Sequence, residues 1–215
     1  MNHTLRIGSR KSMLALRQAK IIAAQLQARF PGLKTEILTR DTLGDQILHS
    51  PLQAFGGKGV FVSEFEQALL EGSIDLAVHS LKDMPMEAPE DFPVLACTRR
   101  EDPRDVLVLR KGLERLEKDS VIGCSSLRRK LQLGSLYPEA EIRNIRGNVL
   151  TRLEKLDAGE YDALVLAAAG LIRLGLEERI SRFFSVEEIL PSAGQGIYGC
   201  TGKSVHERGH SLCER

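Results

Sequence analysis

Three times along this chain a short apolar run of strand length gives way to a polar motif, and the motif to residues at helical spacing. The runs at 74–78, 121–124 and 141–145 hand over to His79-Ser80-Leu81-Lys82-Asp83, Ser125-Ser126-Leu127-Arg128-Arg129 and Arg146-Gly147-Asn148. Strands alternating with helices in this way form a sheet with helices packed on its faces, an α/β fold. A nearly continuous apolar strand such as 74–78 is the pattern of a parallel sheet. In open sheets of this kind ligands bind beyond the carboxyl ends of the strands, where these motifs fall.

The rest of the chain fits the same alternation. A strand over 5–9 precedes Ser12, a residue suited to capping the helix that carries Ala15, Ala19, Ile22 and Leu26 on one face. Pro31-Gly32 ends that helix, and 34–39 is the next strand. Residues 41–59 hold Asp41, Gly44, Asp45, Pro51, Gly56, Gly57 and Gly59 and show no period. They read as a long functional loop. A helix with Phe61, Phe65, Ala68 and Leu69 follows. Further strands are expected at 92–98, 106–109 and 163–167, and helices over 127–136 and 149–156 and from 171. Two domains are expected, 1–98 plus 191–199 and 104–190, with a cleft between them as the natural site.

Charge narrows the partners. Lys and Arg total 30 against 29 Asp and Glu. A nucleic-acid binder is usually clearly basic, so no nucleic-acid partner is expected. Arg128, Arg129, Arg143, Arg146 and Arg152 nevertheless cluster in one stretch. No run is apolar and long enough to span a membrane, and the start carries no apolar leader. The four cysteines, Cys97, Cys124, Cys200 and Cys213, have neither metal-ligand spacing nor the density of a disulfide scaffold. A cytoplasmic, reduced protein without a metal is expected.

The motifs carry definite chemistry. Asp83, at a strand end beside Lys82, is placed either to hold a developing cation or to act as a turn or cap residue. Ser125 and Ser126 precede Arg128 and Arg129 at a helix start, where free N–H groups favour an anion. The alternative is a solvated arginine pair behind a serine cap. Gly147 permits close approach and Asn148 can cap the next helix, with Arg146 and Arg152 adding charge. Two cationic strand-to-helix junctions point to an anionic ligand. Gly56-Gly57-Lys58-Gly59 lacks the hydroxyl residue that a phosphate loop places after its lysine. It reads as a lid carrying Lys58.

Together with Leu5-Arg6-Ile7-Gly8-Ser9-Arg10-Lys11-Ser12, Arg100-Glu101-Asp102-Pro103-Arg104-Asp105, Ala168-Ala169-Gly170-Leu171 and Leu190-Pro191-Ser192-Ala193-Gly194-Gln195-Gly196, these motifs closely resemble the hydroxymethylbilane synthase (porphobilinogen deaminase) family of tetrapyrrole and heme biosynthesis. The resemblance covers about residues 5–199. It implies two domains of the type II periplasmic binding protein fold, followed by a third. It implies a transferase that condenses four porphobilinogen molecules into linear hydroxymethylbilane with release of ammonia. The chain grows on a dipyrromethane cofactor joined to a cysteine of the third domain. Asp83 matches the family's catalytic aspartate. Arg10, Ser12, Lys82, Arg128, Arg129, Arg146, Arg152 and Arg173 match residues that bind acetate and propionate side chains. Ser80 and Ser126 line the same cleft, Lys58 belongs to the mobile loop, and Gln195 lies in the crossover back to domain one.

The family pattern ends at Gly199. The third domain, on the order of a hundred residues, is expected to be absent, and 200–215 to be a divergent, disordered tail. Neither Cys200 nor Cys213 matches the cofactor cysteine, so no attachment residue is identified. A catalytically impaired module that binds carboxylated pyrroles is the alternative to the full reaction. A monomer is expected, with self-association open to it through the surface that a third domain would cover.

Overall fold

The computed structural model describes residues 4–40, 63–87 and 89–204. They form a two-domain α/β architecture built on two five-stranded sheets. The first sheet contains β1 (Thr4–Arg10), β2 (Lys34–Arg40), β3 (Leu76–Ser80), β4 (Val94–Cys97) and, returning from far along the chain, β10 (Tyr198–Thr201). Their order is β2-β1-β3-β10-β4. The second contains β5 (Asp105–Leu109), β6 (Val121–Gly123), β7 (Glu141–Arg143), β8 (Ala163–Ala167) and β9 (Arg182–Phe183), in the order β7-β6-β8-β5-β9. The helices are α1 (Met13–Arg29), α2 (Ser63–Leu70), α3 (Leu127–Leu136), α4 (Val149–Asp157) and α5 (Ala168–Leu174). None is long and apolar enough to cross a membrane.

Both sheets are mixed. β1 runs parallel to β2 and β3, but β10 lies antiparallel between β3 and β4. β6 runs parallel to β7 and β8, whereas β5 is antiparallel to both β8 and β9. The strand expected at 74–78 is displaced by two residues. Ile74 is instead buried against Phe65 and Leu69 of α2, and Asp75 is held by Arg6 through a 2.7 Å ion pair. α5 starts at Ala168, three residues before the expected 171. Ala168 and Ala169 are buried, and Gly170 brings α5 up to Leu14 of α1, a Cβ there lying 3.9 Å from Leu14 Cδ2. That contact joins the two halves beside the cleft.

The helix starts follow local chemistry. Ser12 Oγ accepts from the Ala15 N–H at 3.2 Å, and Asn148 Oδ1 accepts from the Thr151 N–H at 3.0 Å. Each such cap contributes about 1 kcal/mol. The first core packs Ile7, Ala19, Ile22, Val78 and Tyr198 between α1 and its sheet. In the second domain, Val106, Leu156, Leu164 and Leu171 fill one face of the sheet and Ile122, Leu133, Val165 and Phe184 the other.

The described part of the expected tail is folded at its start. Cys200 and Thr201 are buried in β10 and pair with Val78 and Ala77. The expected break at 200 is thus overruled by two alternate-facing residues that complete a sheet. Residues 205–215 lie outside the described residues, as do 41–62 with the expected loop, Lys58 and Phe61.

Candidate functional site

A cavity of about 690 Å³ opens between the two sheets at their strand ends. From the first domain, Arg10 ends β1, Lys11 and Ser12 form the turn into α1, and Ser80 ends β3. Lys82 and Asp83 follow in a single 3-10 turn, Leu81–Asp83. From the second domain come Arg129 of α3, Arg146-Gly147-Asn148 before α4, Arg152 of α4 and Arg173 of α5. Gly194-Gln195-Gly196 of the return crossover forms the floor between them. Among the described lining residues, Arg10, Lys11, Lys82, Arg129, Arg146, Arg152 and Arg173 make seven cations against one carboxylate, Asp83.

The first-domain wall is braced from behind. Ser80 Oγ accepts from Gln18 Nε2 at 3.2 Å. Gln18 is buried on the face of α1 that also buries Ala19 and Ile22. Burial lowers the Lys82 ammonium pKa, and the nearby Arg129 lowers it further while Asp83 opposes both. The crossover presses on this turn from the other side. Gly194 has φ +70°, and a Cβ there would stand 3.0 Å from the Lys82 backbone nitrogen.

On the second-domain wall the adjacent arginines take different paths. Arg129 is buried and lines the cavity. Its NH2 donates to Asp105 Oδ1 at 2.7 Å and its NH1 to the Val165 carbonyl at 3.1 Å. Arg128 does not line the cavity. Its NH2 donates to Asp105 Oδ2 at 2.7 Å, and its NH1 donates to the Leu190 carbonyl. The expectation that Arg128 and Arg129 both face a ligand is corrected on this point, because one buried carboxylate turns the pair into a clamp. Ser125 and Ser126 also lie off the cavity lining. Ser125 Oγ accepts from the Ile145 N–H at 3.0 Å and donates to the Ile145 carbonyl, tying the two strand-to-helix junctions together. Ser126 occupies the N-cap position of α3 without a side-chain cap bond. Arg143 leaves the cluster altogether and pairs with Glu141 at 2.8 Å on the surface.

Gly147 has φ +113°, and a Cβ there would meet Thr151 Cγ2 at 2.8 Å. Arg152 Nε donates to the Gly147 carbonyl at 2.8 Å. Burial lowers the Arg152 pKa, with Arg129 adding to the effect. Arg173 NH2 donates to the Gly196 carbonyl at 2.6 Å, and burial lowers its pKa as well. Gln195 is buried, and its Oε1 has no hydrogen-bond partner among the described residues.

Sequence reasoning missed Lys11, Gln18, Thr151 and Gly170 among the lining residues, and missed Asp105 behind the wall. Gln18 left a signal, a polar residue beside the apolar stripe of α1. Asp105 left none beyond its place in Asp102-Pro103-Arg104-Asp105.

A cavity with this charge balance, partly removed from water, attracts anions strongly. Its planar guanidinium groups suit carboxylates. Asp83 is the contrasting group, available to an N–H donor or a cation. The cations fit the carboxylates of a dipyrromethane group. Of the described cysteines, Cys97 is exposed on β4 while Cys124 and Cys200 are buried, and none lines the cavity. No group of three or more His, Cys, Asp or Glu side chains among the described residues is arranged for a metal ion.

Residues 5–209 match the family described as porphobilinogen deaminase, dipyromethane cofactor binding domain. The chain is 54% identical over 193 residues to the porphobilinogen deaminase of Acetivibrio thermocellus, covering 90% of this chain and 66% of that enzyme. It is 52% identical over 193 residues to the enzyme of Alkaliphilus oremlandii, covering 90% of this chain and 65% of that one. Among solved structures it resembles a probable amino-acid ABC transporter extracellular-binding protein from Bacillus subtilis, with TM-score 0.52 and 13% identity, over 95% of this chain and 86% of that chain. That likeness shows the fold, the two-domain type II periplasmic-binding-protein architecture. The chain spans about two thirds of the length of the enzymes it matches. This coverage overturns the expectation that these residues condense four porphobilinogen molecules into hydroxymethylbilane, because a third of each enzyme's length has no counterpart in the alignment.

Proposed function

Since the chain belongs to the porphobilinogen deaminase family of transferases in tetrapyrrole biosynthesis, we propose that its cleft is a binding module for carboxylated pyrroles. The observation that carries this is the imbalance of seven cations to one carboxylate among the described lining residues. Porphobilinogen brings an acetate and a propionate on each ring, so a chain of rings multiplies the carboxylates to be held. Arg10, Arg129, Arg146, Arg152 and Arg173 are the proposed partners of those groups, with Lys82 as a compact charge beside Asp83. The hydroxyls of Ser12 and Ser80 and the amide of Gln195 add neutral polar contacts. Gly147 and Asn148 let the ligand approach the start of α4.

Asp83 is the proposed catalytic group of the family reaction. Its carboxylate would accept from a pyrrole N–H and stabilise the cation left on carbon as an amine departs. When bound, the dipyrromethane group supplies the pyrrole carbon on which a chain is extended. The cationic wall would hold its carboxylates, and its covalent attachment would need a cysteine beyond those described here. The unit is proposed to act as a monomer on porphobilinogen and short pyrrole chains, in a cytoplasmic setting in keeping with its free thiols.

The test is calorimetric titration with porphobilinogen at low and high salt, with an ammonia assay on the same sample. Saturable binding that weakens with salt, without ammonia release, is the expected result. A folded sample that takes up no porphobilinogen at low salt sinks the proposal.

A further inference from the structure

Arg129 meets the cavity with its orientation already fixed. Its two terminal nitrogens are bound by the protein, NH2 to Asp105 Oδ1 at 2.7 Å and NH1 to the Val165 carbonyl at 3.1 Å. Its Nε–H is buried and has no partner among the described residues. Asp105, the first residue of β5, has no exposed surface. Its second oxygen accepts from Arg128 NH2, also at 2.7 Å. Arg128 in turn donates to the carbonyl of Leu190, whose N–H donates to Gln132 Oε1 at 2.7 Å. One carboxylate thus links the cavity wall, the start of α3 and the beginning of the return crossover.

We propose that Asp105 is a positioning residue, which aims the guanidinium of Arg129 at the ligand by taking one arginine on each carboxylate oxygen. Planar guanidinium donors act at full strength only in the right plane, and a long side chain in a wide cavity loses much of its binding to disorder. Holding Arg129 from behind removes that loss before a ligand arrives. Asp105 also offsets one of two adjacent positive charges. Both arginines bear on Lys82, where Asp105 opposes them, and the charge of Arg129 is also felt at Arg152. The inference rests on the reading of the cavity as a carboxylate site, and its test separates the two.

Asp105→Asn keeps the shape and one acceptor but removes the charge. Porphobilinogen affinity is expected to fall about tenfold, the cost of one charge-assisted contact. The buried Arg129 Nε–H is expected to give a sharp, slowly exchanging resonance in the unaltered protein and a broader, faster-exchanging one in the variant. Affinity within twofold and an unchanged resonance in a folded variant overturn the proposal. If the buried substitution prevents folding, the pair Asp105→Asn with Arg128→Gln restores the charge balance and decides instead. Continued weak binding by the pair supports positioning, whereas recovered affinity shows that Asp105 only neutralises charge. If the unaltered protein binds no porphobilinogen, the cavity reading fails, and the Arg129 resonance alone decides for or against Asp105.

Discussion

Arg173 lies over Tyr198, its guanidinium carbon 3.6 Å from the ring centroid. Arg173 belongs to α5 of the second domain and Tyr198 opens β10 of the first sheet. The same guanidinium donates to the Gly196 carbonyl at 2.6 Å. One side chain therefore spans the cleft floor through two contacts, one to the ring face and one to a backbone carbonyl. Arg173→Lys retains the charge but loses the stack and the directed bond. It is expected to lower stability by about 1–2 kcal/mol and to weaken porphobilinogen binding, as read by denaturant melts and calorimetry.

Gly196 is a sharper test of the crossover. Its φ is +84°, and an added Cβ would stand 2.4 Å from the Glu101 carbonyl oxygen. That carbonyl is backbone, on the outgoing crossover, and the Glu101 N–H is bound to the Gly196 carbonyl at 2.9 Å. The two crossovers cannot part without breaking this bond. Gly196→Ala is expected to cost about 2–3 kcal/mol or more, measured as a lower urea midpoint. Gly112→Ala, with φ +87° but nothing within 4 Å, separates the backbone cost from the clash and should lose clearly less.

Acid should unfold the protein partly through His79. Its ring is buried edge-on to Phe65, 5.5 Å between centroids, with Nε2 3.1 Å from Thr201 Oγ1. Burial pushes the imidazole down from its ordinary 6.5 to about 4. Well above pH 6.5 neither state is protonated and the contribution is whole. Between 6.5 and about 4 the unfolded chain takes up a proton that the folded chain refuses, so stability falls as pH falls. The full loss is on the order of 3 kcal/mol, with about 2 kcal/mol gone by pH 5. Denaturant melts at pH 7 and pH 5 should show it. His79→Phe should flatten the profile, and an unchanged profile would assign the acid sensitivity to other groups.

The three described thiols should divide sharply. Cys97 is exposed on edge strand β4, while Cys124 and Cys200 are buried. Burial raises the Cys124 thiol pKa and pushes that of Cys200 up to about 11. Since the thiolate is the reactive form, iodoacetamide at pH 8 should label Cys97 in the native protein and the other two only in denaturant, as mapped by peptide mass. Rapid native labelling of Cys200 would contradict its place in β10.

Asn148→Ala removes the Oδ1 that accepts from the Thr151 N–H. A stability loss of about 1 kcal/mol is expected. The same change loosens the turn that presents Gly147 and Arg146, so ligand affinity should fall with it. Asn148→Asp keeps the cap and serves as the control for stability.

What could be read from the sequence was what local chemistry decides. α3 and β8 occupy the expected 127–136 and 163–167, because an apolar strand and a helix of good formers need no distant partner to be recognised. The caps at Ser12 and Asn148 depend on side chains that reach only three residues along the chain. What could not be read depends on long-range contacts. Arg128 and Arg129 form an identical pair in sequence, and only a carboxylate 23 and 24 residues away separates their roles. Cys200 sits in a polar sequence and looks like tail, yet it pairs with Val78 across 122 positions of chain. No periodicity within four residues of strand announces that pairing.

β10 also sets an order of events for a chain made from its amino end. Residues 105–183 contain every strand of the second sheet, which can close as soon as they are free. The first sheet lacks the strand that joins β3 to β4 until residues 198–201 are made. The lobe synthesised first is therefore finished last. Until then β3 and β4 present two unpaired edges, of the kind that seek strands from other chains. A nascent chain free as far as residues 190 to 197, with the core residue Ile189 in place, would carry one complete lobe and one waiting for its keystone.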